Sequence, residues 1–138
     1  LVTYDDHETH GIALAQAALP DLGYSAAQLD VIAELIAATR MPQRPTSPLA
    51  ELLCDADLDV LGREDFWDVN RLLLAETEYY RGQVISEAEW LVNQLRFLEE
   101  HVYFSGTAHM LRDPGKVRNV DLMRRVLYGL NGSSAHRR

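Results

Sequence analysis

The run Cys54-Asp55-Ala56-Asp57-Leu58-Asp59 puts three carboxylates into five successive positions of an otherwise apolar segment. A carboxylate at the edge of a core needs a partner, which can be an arginine, backbone donors or a metal ion. As a helix, the segment has an apolar stripe of Leu49, Leu52, Leu53, Ala56 and Val60, centred near Leu49 and Ala56. Asp57 and Asp59 then fall about 80° to either side of that centre, and Asp55 about 120° away. Asp57 and Asp59 are therefore expected at the border of the buried face, partly desolvated. From there they can hold a cation or pair with arginine.

A second cluster is His7-Glu8-Thr9-His10. His7 and His10 stand at i and i+3, on one face of a helix, a spacing that metal ligands use. Asp6 and Glu8 suit the positive end of a helix that starts here. The same pattern also fits a polar helix start with surface histidines. The zinc-peptidase pattern HExxH is excluded, because the second histidine comes one place too early. Cys54 has no nucleophile motif around it and is expected to be a small core residue. His101 and His109 are too far apart to be expected as a ligand pair, and Trp67, Trp90, Tyr79 and Tyr80 are expected in the core.

Helices must position these groups. The first is expected from Asp6 to about Leu19, where Pro20 and Gly23 break it. The second opens with a capping box, Ser25 and Gln28. Its stripe is Leu29, Ile32, Ala33 and Ile36, and it ends at Met41-Pro42 because a residue before proline leaves the helical region. A stiff loop with three prolines spans 41–48. The third helix has Ser47 as N-cap, Pro48 at the first helical position and Gly62 as its stop. A fourth covers roughly 64–82, with Phe66, Val69, Leu73 and Tyr80 inward. The fifth starts with the box Ser86 and Glu89 and carries the stripe Val84, Ala88, Leu91, Leu95, Leu98 and Val102. Pro114-Gly115 marks an irregular stretch, and a last helix is expected from about Val120 to Leu130. No segment alternates apolar and polar residues as a strand would, so the fold class is all-α.

The chain has 138 residues, which favours one domain. Hydrophobic residues make up 47% and charged residues 25%, which excludes a disordered or fibrous chain. No apolar run approaches the roughly 20 residues that span a bilayer. One cysteine permits no internal disulfide and points to a reducing, cytoplasmic setting. The formal charge of −8 disfavours non-specific nucleic-acid binding. An anionic small substrate remains compatible where a metal or arginines reverse the local potential. Lys116 is the only lysine among 13 basic residues, so arginine supplies nearly all cationic contacts. The start Leu1-Val2-Thr3-Tyr4 has no signal-peptide character and reads like the interior of a longer polypeptide.

Four stretches carry a likeness to a known family. They are Tyr4-Asp5-Asp6-His7-Glu8, Leu19-Pro20-Asp21-Leu22-Gly23-Tyr24-Ser25, Ile36-Ala37-Ala38-Thr39-Arg40-Met41-Pro42-Gln43, and Leu53-Cys54-Asp55-Ala56-Asp57-Leu58-Asp59-Val60-Leu61-Gly62-Arg63. In these the chain resembles predicted metal-dependent phosphohydrolases of the HD superfamily. Trp90 and Phe97-Leu98-Glu99-Glu100-His101-Val102-Tyr103-Phe104 resemble the C-terminal helix of one subgroup.

The resemblance implies an HD-domain-like helical bundle of about six helices over residues 1–130, with its N-terminal helices missing; the small, polar residues 131–138 are expected, from their composition, to be a disordered tail. It implies a divalent metal ion, with manganese, magnesium, iron, nickel and zinc all open, held by a His … His-Asp … Asp set. The last Asp of that set maps onto Asp57. The chain contains no His-Asp dipeptide, so the doublet and the earlier His would lie upstream of it. Glu8 is then the candidate catalytic proton acceptor. Arg40 and Arg63 are candidate contacts to a small phosphorylated substrate, a phosphate ester, nucleotide or cyclic nucleotide. His7, His10 and Asp55 are additional site candidates. The rival expectation is a catalytically inactive HD-like helical module for protein interaction or sensing. A homodimer and a partner domain both stay open, and no membrane association is expected.

Overall fold

The computed structural model describes residues 6–135. Tyr4, Asp5 and the tail residues His136, Arg137 and Arg138 lie outside them. Among the described residues the protein is all-α, with six α-helices and no strand. The helices are α1 (His7–Ala18), α2 (Ala26–Ala38), α3 (Pro48–Asp57), α4 (Phe66–Arg81), α5 (Glu87–Glu100) and α6 (Gly106–Ala135). Short 3-10 turns cover Pro20–Leu22 and Asp59–Gly62. None of these helices is long and apolar enough to cross a membrane. The chain divides into two compact units, Leu1–Asp57 and Leu58–Arg138.

In the first unit α1 packs on α2, and α2 on α3. The box at Ser25 forms as its residues predict: Gln28 N donates to Ser25 Oγ at 3.4 Å, and Ser25 N donates to Gln28 Oε1 at 2.8 Å. The stripe Leu29, Ile32, Ala33 and Ile36 is half-buried. Gly11 of α1 faces Ile36 of α2, where a Cβ would make an ordinary contact at 3.7 Å from Ile36 Cγ2. Ser47 caps α3, accepting from Ala50 N at 3.3 Å.

The buried face of α3 differs from the expected stripe. Ala50, Cys54 and Asp55 are buried, while Leu49, Leu52, Leu53 and Ala56 are exposed. The small side chains Ala38, Ala50 and Cys54 form the contact, and the Cys54 thiol donates to Ala38 O at 3.2 Å. Close packing of small residues has turned the helix away from its leucines.

The second unit holds the larger core: Leu61, Phe66, Trp90, Leu91, Leu98 and Met123. The expected third helix does not run on to Gly62. It stops at Asp57, and Asp59–Gly62 tightens into a 3-10 turn. Side chains elsewhere in this unit claim the carbonyls that a continued helix would use. Tyr103 Oη donates to Leu58 O at 3.2 Å, and Asn119 Nδ2 donates to Leu61 O at 2.9 Å and Arg63 O at 3.0 Å. Asp59 therefore belongs to this turn, not to the face of α3.

Pro114-Gly115 does not interrupt the chain either. α6 passes through both and extends to Ala135, past the expected end at Leu130. Gly115 lies directly against the 3-10 turn: a Cβ there would sit 1.9 Å from Gly62 O. A Cβ on Gly62 would sit 2.4 Å from Arg112 O. These two glycines are a tight backbone crossing rather than helix stops.

α4 also turns a different face inward. Phe66, Asn70 and Thr77 are buried, while Leu73, Tyr79 and Tyr80 are exposed, against expectation. A polar relay sets this face. Trp90 Nε1 donates to Asn70 Oδ1 at 2.8 Å, and Asn70 Nδ2 donates to Gln94 Oε1 at 2.8 Å. In α5, Ser86 accepts from Glu89 N at 3.2 Å, Leu91 and Leu98 are buried, and Leu95 is half-buried. Val84, Ala88 and Val102 of the expected stripe are exposed, Val84 and Val102 falling outside the helix.

Candidate functional site

Residues distant in sequence converge at one end of the first unit. Asp6 precedes α1 in a left-handed conformation, φ 60°, which aspartate tolerates better than most side chains. Its Oδ1 accepts from Thr9 Oγ1 at 2.8 Å and from Arg40 Nη2 at 2.8 Å. Arg40, just past α2, also donates to Thr9 Oγ1 at 2.6 Å. One turn into α1, the Glu8 side chain is only 9% exposed. Its ion pairs are loose: His7 Nε2 lies 3.5 Å away and Arg40 Nε 3.9 Å. Among the described residues, this buried carboxylate has only long charge contacts.

Asp57 ends α3 in the same unit. Gln43 Nε2 donates to its Oδ2 at 3.0 Å. Burial pushes the Asp57 carboxyl above the usual aspartate range; the Gln43 hydrogen bond and the His7 charge oppose that rise, and Glu8 adds to it. The residue as a whole is exposed. His7, Glu8, Arg40 and Asp57, four of the residues singled out from the sequence, thus form one electrostatic neighbourhood.

The other candidates stand elsewhere. The His10 ring Nδ1 lies 3.1 Å from Asp6 O on the exposed side of α1. Asp55 is buried on α3 beside Cys54, although its angular position had put it farthest from the apolar centre. Burial, then Asp57 and Asp55, push the Cys54 thiol up, so it stays protonated. Arg63 lies in the second unit. Its Nε donates to Asp65 Oδ1 at 2.8 Å, its Nη2 reaches Asp65 Oδ2, and Nη1 is 3.8 Å from Asp59 Oδ2. Arg112 also grips Asp59. No residue pattern marks Gln43, Asp6 or Thr9 as members of the site. Their roles depend on how the loop after α2 folds back, which spacing along one helix does not encode.

For a metal ion, Asp57 is a suitable donor: one oxygen is hydrogen-bonded, as ligating carboxylates usually are, and among the described residues the other takes no hydrogen bond. Among the described residues, however, no three His, Cys, Asp or Glu side chains are grouped so that they could hold a metal ion. Among the described residues the site therefore offers a single candidate donor, Asp57, and not a ligand set. No family model, curated protein or solved structure matches the chain.

Proposed function

We propose that this chain carries the carboxylate-and-arginine side of a metal-dependent phosphohydrolase site of the HD type, acting on a small phosphate ester, nucleotide or cyclic nucleotide. The observation that supports this most is the convergence of Glu8, Arg40 and Asp57, which are 49 positions apart from first to last. In this reading Asp57 is one ligand of a divalent ion, and the other ligands of the His … His-Asp … Asp pattern would have to come from residues outside the chain, which holds no His-Asp dipeptide. A bound divalent ion polarises a phosphoryl oxygen and acidifies water.

The chain's own residues supply the rest. Arg40 Nη2 is engaged by Asp6 and Thr9, and the rest of its planar guanidinium, only loosely paired with Glu8 at 3.9 Å, is the part that can meet phosphate oxygens. Glu8, enclosed and weakly paired, accepts a proton from the attacking water. Arg63 is the weaker phosphate contact, because Asp65 already engages its guanidinium in a fork. A cytoplasmic location is part of the same proposal.

The test is phosphate release by the natural full-length polypeptide with manganese and a panel of phosphate esters. Activity in the wild type that Asp57→Ala abolishes with unchanged helicity supports the proposal. Equal activity in both contradicts it. The absence of a three-donor group among the described residues favours a second reading, a helical module without catalysis. That module would release no phosphate and would bind no divalent ion.

A further inference from the structure

We propose that Gln43 is the positioning residue of the Asp57 carboxylate: one side-chain amide both secures the last turn of α3 and sets the direction in which that carboxylate is presented. What the carboxylate then does rests on the phosphohydrolase reading; the geometry does not.

Gln43 lies between Pro42 and Pro45, whose rings restrict the backbone of the loop. Its Nε2 donates twice, to Asp57 Oδ2 at 3.0 Å and to Cys54 O at 3.3 Å. The Cys54 carbonyl is among the last four of α3, which have no partner within the helix. Two acceptors on one side fix the amide orientation, since a flipped amide would set oxygen against oxygen twice. The consequence is visible on the other side. Gln43 Oε1 is buried and takes no hydrogen bond among the described residues. Placing the donor on Asp57 has thus been favoured at the expense of the amide's own acceptor.

The choice of a neutral donor matters. Two positions on, Asp59 is held by two arginines, Arg112 and Arg63, which cancel its charge. Asp57 is oriented without being neutralised. Its negative charge remains available to a cation, and its second oxygen takes no hydrogen bond among the described residues. A hydrogen-bonded outer partner of this kind characterises ligating carboxylates.

The experiment uses the natural full-length polypeptide and the variants Gln43→Leu, Gln43→Glu and Asp57→Asn. The first readout is a metal-free crystal structure of Gln43→Leu. The expected result is an Asp57 carboxylate that has lost its single orientation while α3 still ends at Asp57. An unchanged orientation overturns the proposal. The second readout is manganese affinity by calorimetry, with a loss of roughly 10–100-fold expected for Gln43→Leu. The same substitution should add nothing in an Asp57→Asn background. An equal loss in that background means that Gln43 acts through the loop and not through Asp57, which also overturns it. If wild type and Asp57→Asn bind manganese alike, the phosphohydrolase reading fails, and the crystallographic orientation alone decides for or against Gln43. Gln43→Glu, which keeps the shape but turns an acceptor toward Asp57, gives the same readouts should Gln43→Leu fail to fold.

Discussion

The first unit has polar chemistry around a small core, and the second has a large core around little chemistry. In the first, Ala38, Ala50 and Cys54 form the buried cluster, and Glu8 and Asp55 are buried beside them. In the second, Leu61, Phe66, Trp90, Leu91, Leu98 and Met123 form the buried cluster, with Tyr103 buried as well. Each fully buried large apolar side chain contributes roughly 1.5–3 kcal/mol. Most hydrophobic stabilisation therefore belongs to the second unit. The first buries the carboxylates Glu8 and Asp55 where the second buries large apolar side chains.

Substitutions in the second unit should sharpen this contrast most. Gly115→Ala drives a Cβ into the Gly62 carbonyl, and the backbone of the 3-10 turn must shift. The expected loss is about 3 kcal/mol or more, read as a lower urea midpoint. Gly129→Ala on the same helix meets open space and should stabilise by about 1 kcal/mol. A similar response at both glycines would refute the tight crossing. Leu98→Ala should cost about 3 kcal/mol because Leu98 is fully enclosed.

Tyr103→Phe is a milder and more specific test. Burial first, and Asp59 second, push the Tyr103 phenol up to about 12 from an ordinary 10.0. As pH rises from about 10 to about 12, the unfolded chain loses this proton before the folded one, so stability falls. Tyr103→Phe should cost about 1 kcal/mol at neutral pH, and alkaline melting curves should lose part of this pH dependence. An unchanged alkaline slope would mean that other groups produce it.

In the first unit, effects on stability should be small. Arg40→Ala removes the exposed pair with Asp6 and only a 3.9 Å contact to the buried Glu8, so it should lower stability by about 1 kcal/mol. Its KM for a phosphate ester should still rise roughly tenfold, reflecting a lost charged hydrogen bond. Asp57→Asn should have the smallest effect on stability, and of the opposite sign. A raised carboxyl pKa favours the fold below the ordinary aspartate range, and that benefit is lost as pH rises through the folded value. At neutral pH the ionised Asp57 is a burden, so Asp57→Asn should leave the melting temperature unchanged or slightly higher.

Local signals predicted local structure well. Ser25 with Gln28, Ser47 before Pro48 and Ser86 with Glu89 each open a helix, because a cap is satisfied within one turn. Which face a helix buries was legible only where large apolar residues decide it, as at Leu91 and Leu98. On α3 the contact runs through alanine and cysteine, and on α4 through an asparagine bonded to a tryptophan. Neither registers as a hydrophobic stripe. Pro114-Gly115 looks like punctuation because its purpose, contact with a turn more than 50 residues earlier, is tertiary. The candidate site divides in the same way. Residue type and spacing marked Glu8 and Asp57 and the family resemblance added Arg40, whereas Gln43 reaches Asp57 through a loop whose path no periodicity describes.

The most direct test of the account is manganese binding by the natural full-length polypeptide, measured by calorimetry for wild type and Asp57→Ala at equal helicity. The account predicts saturable binding in the wild type and its loss in Asp57→Ala. Identical titrations for the two proteins would contradict the assignment of Asp57, and with it the phosphohydrolase reading.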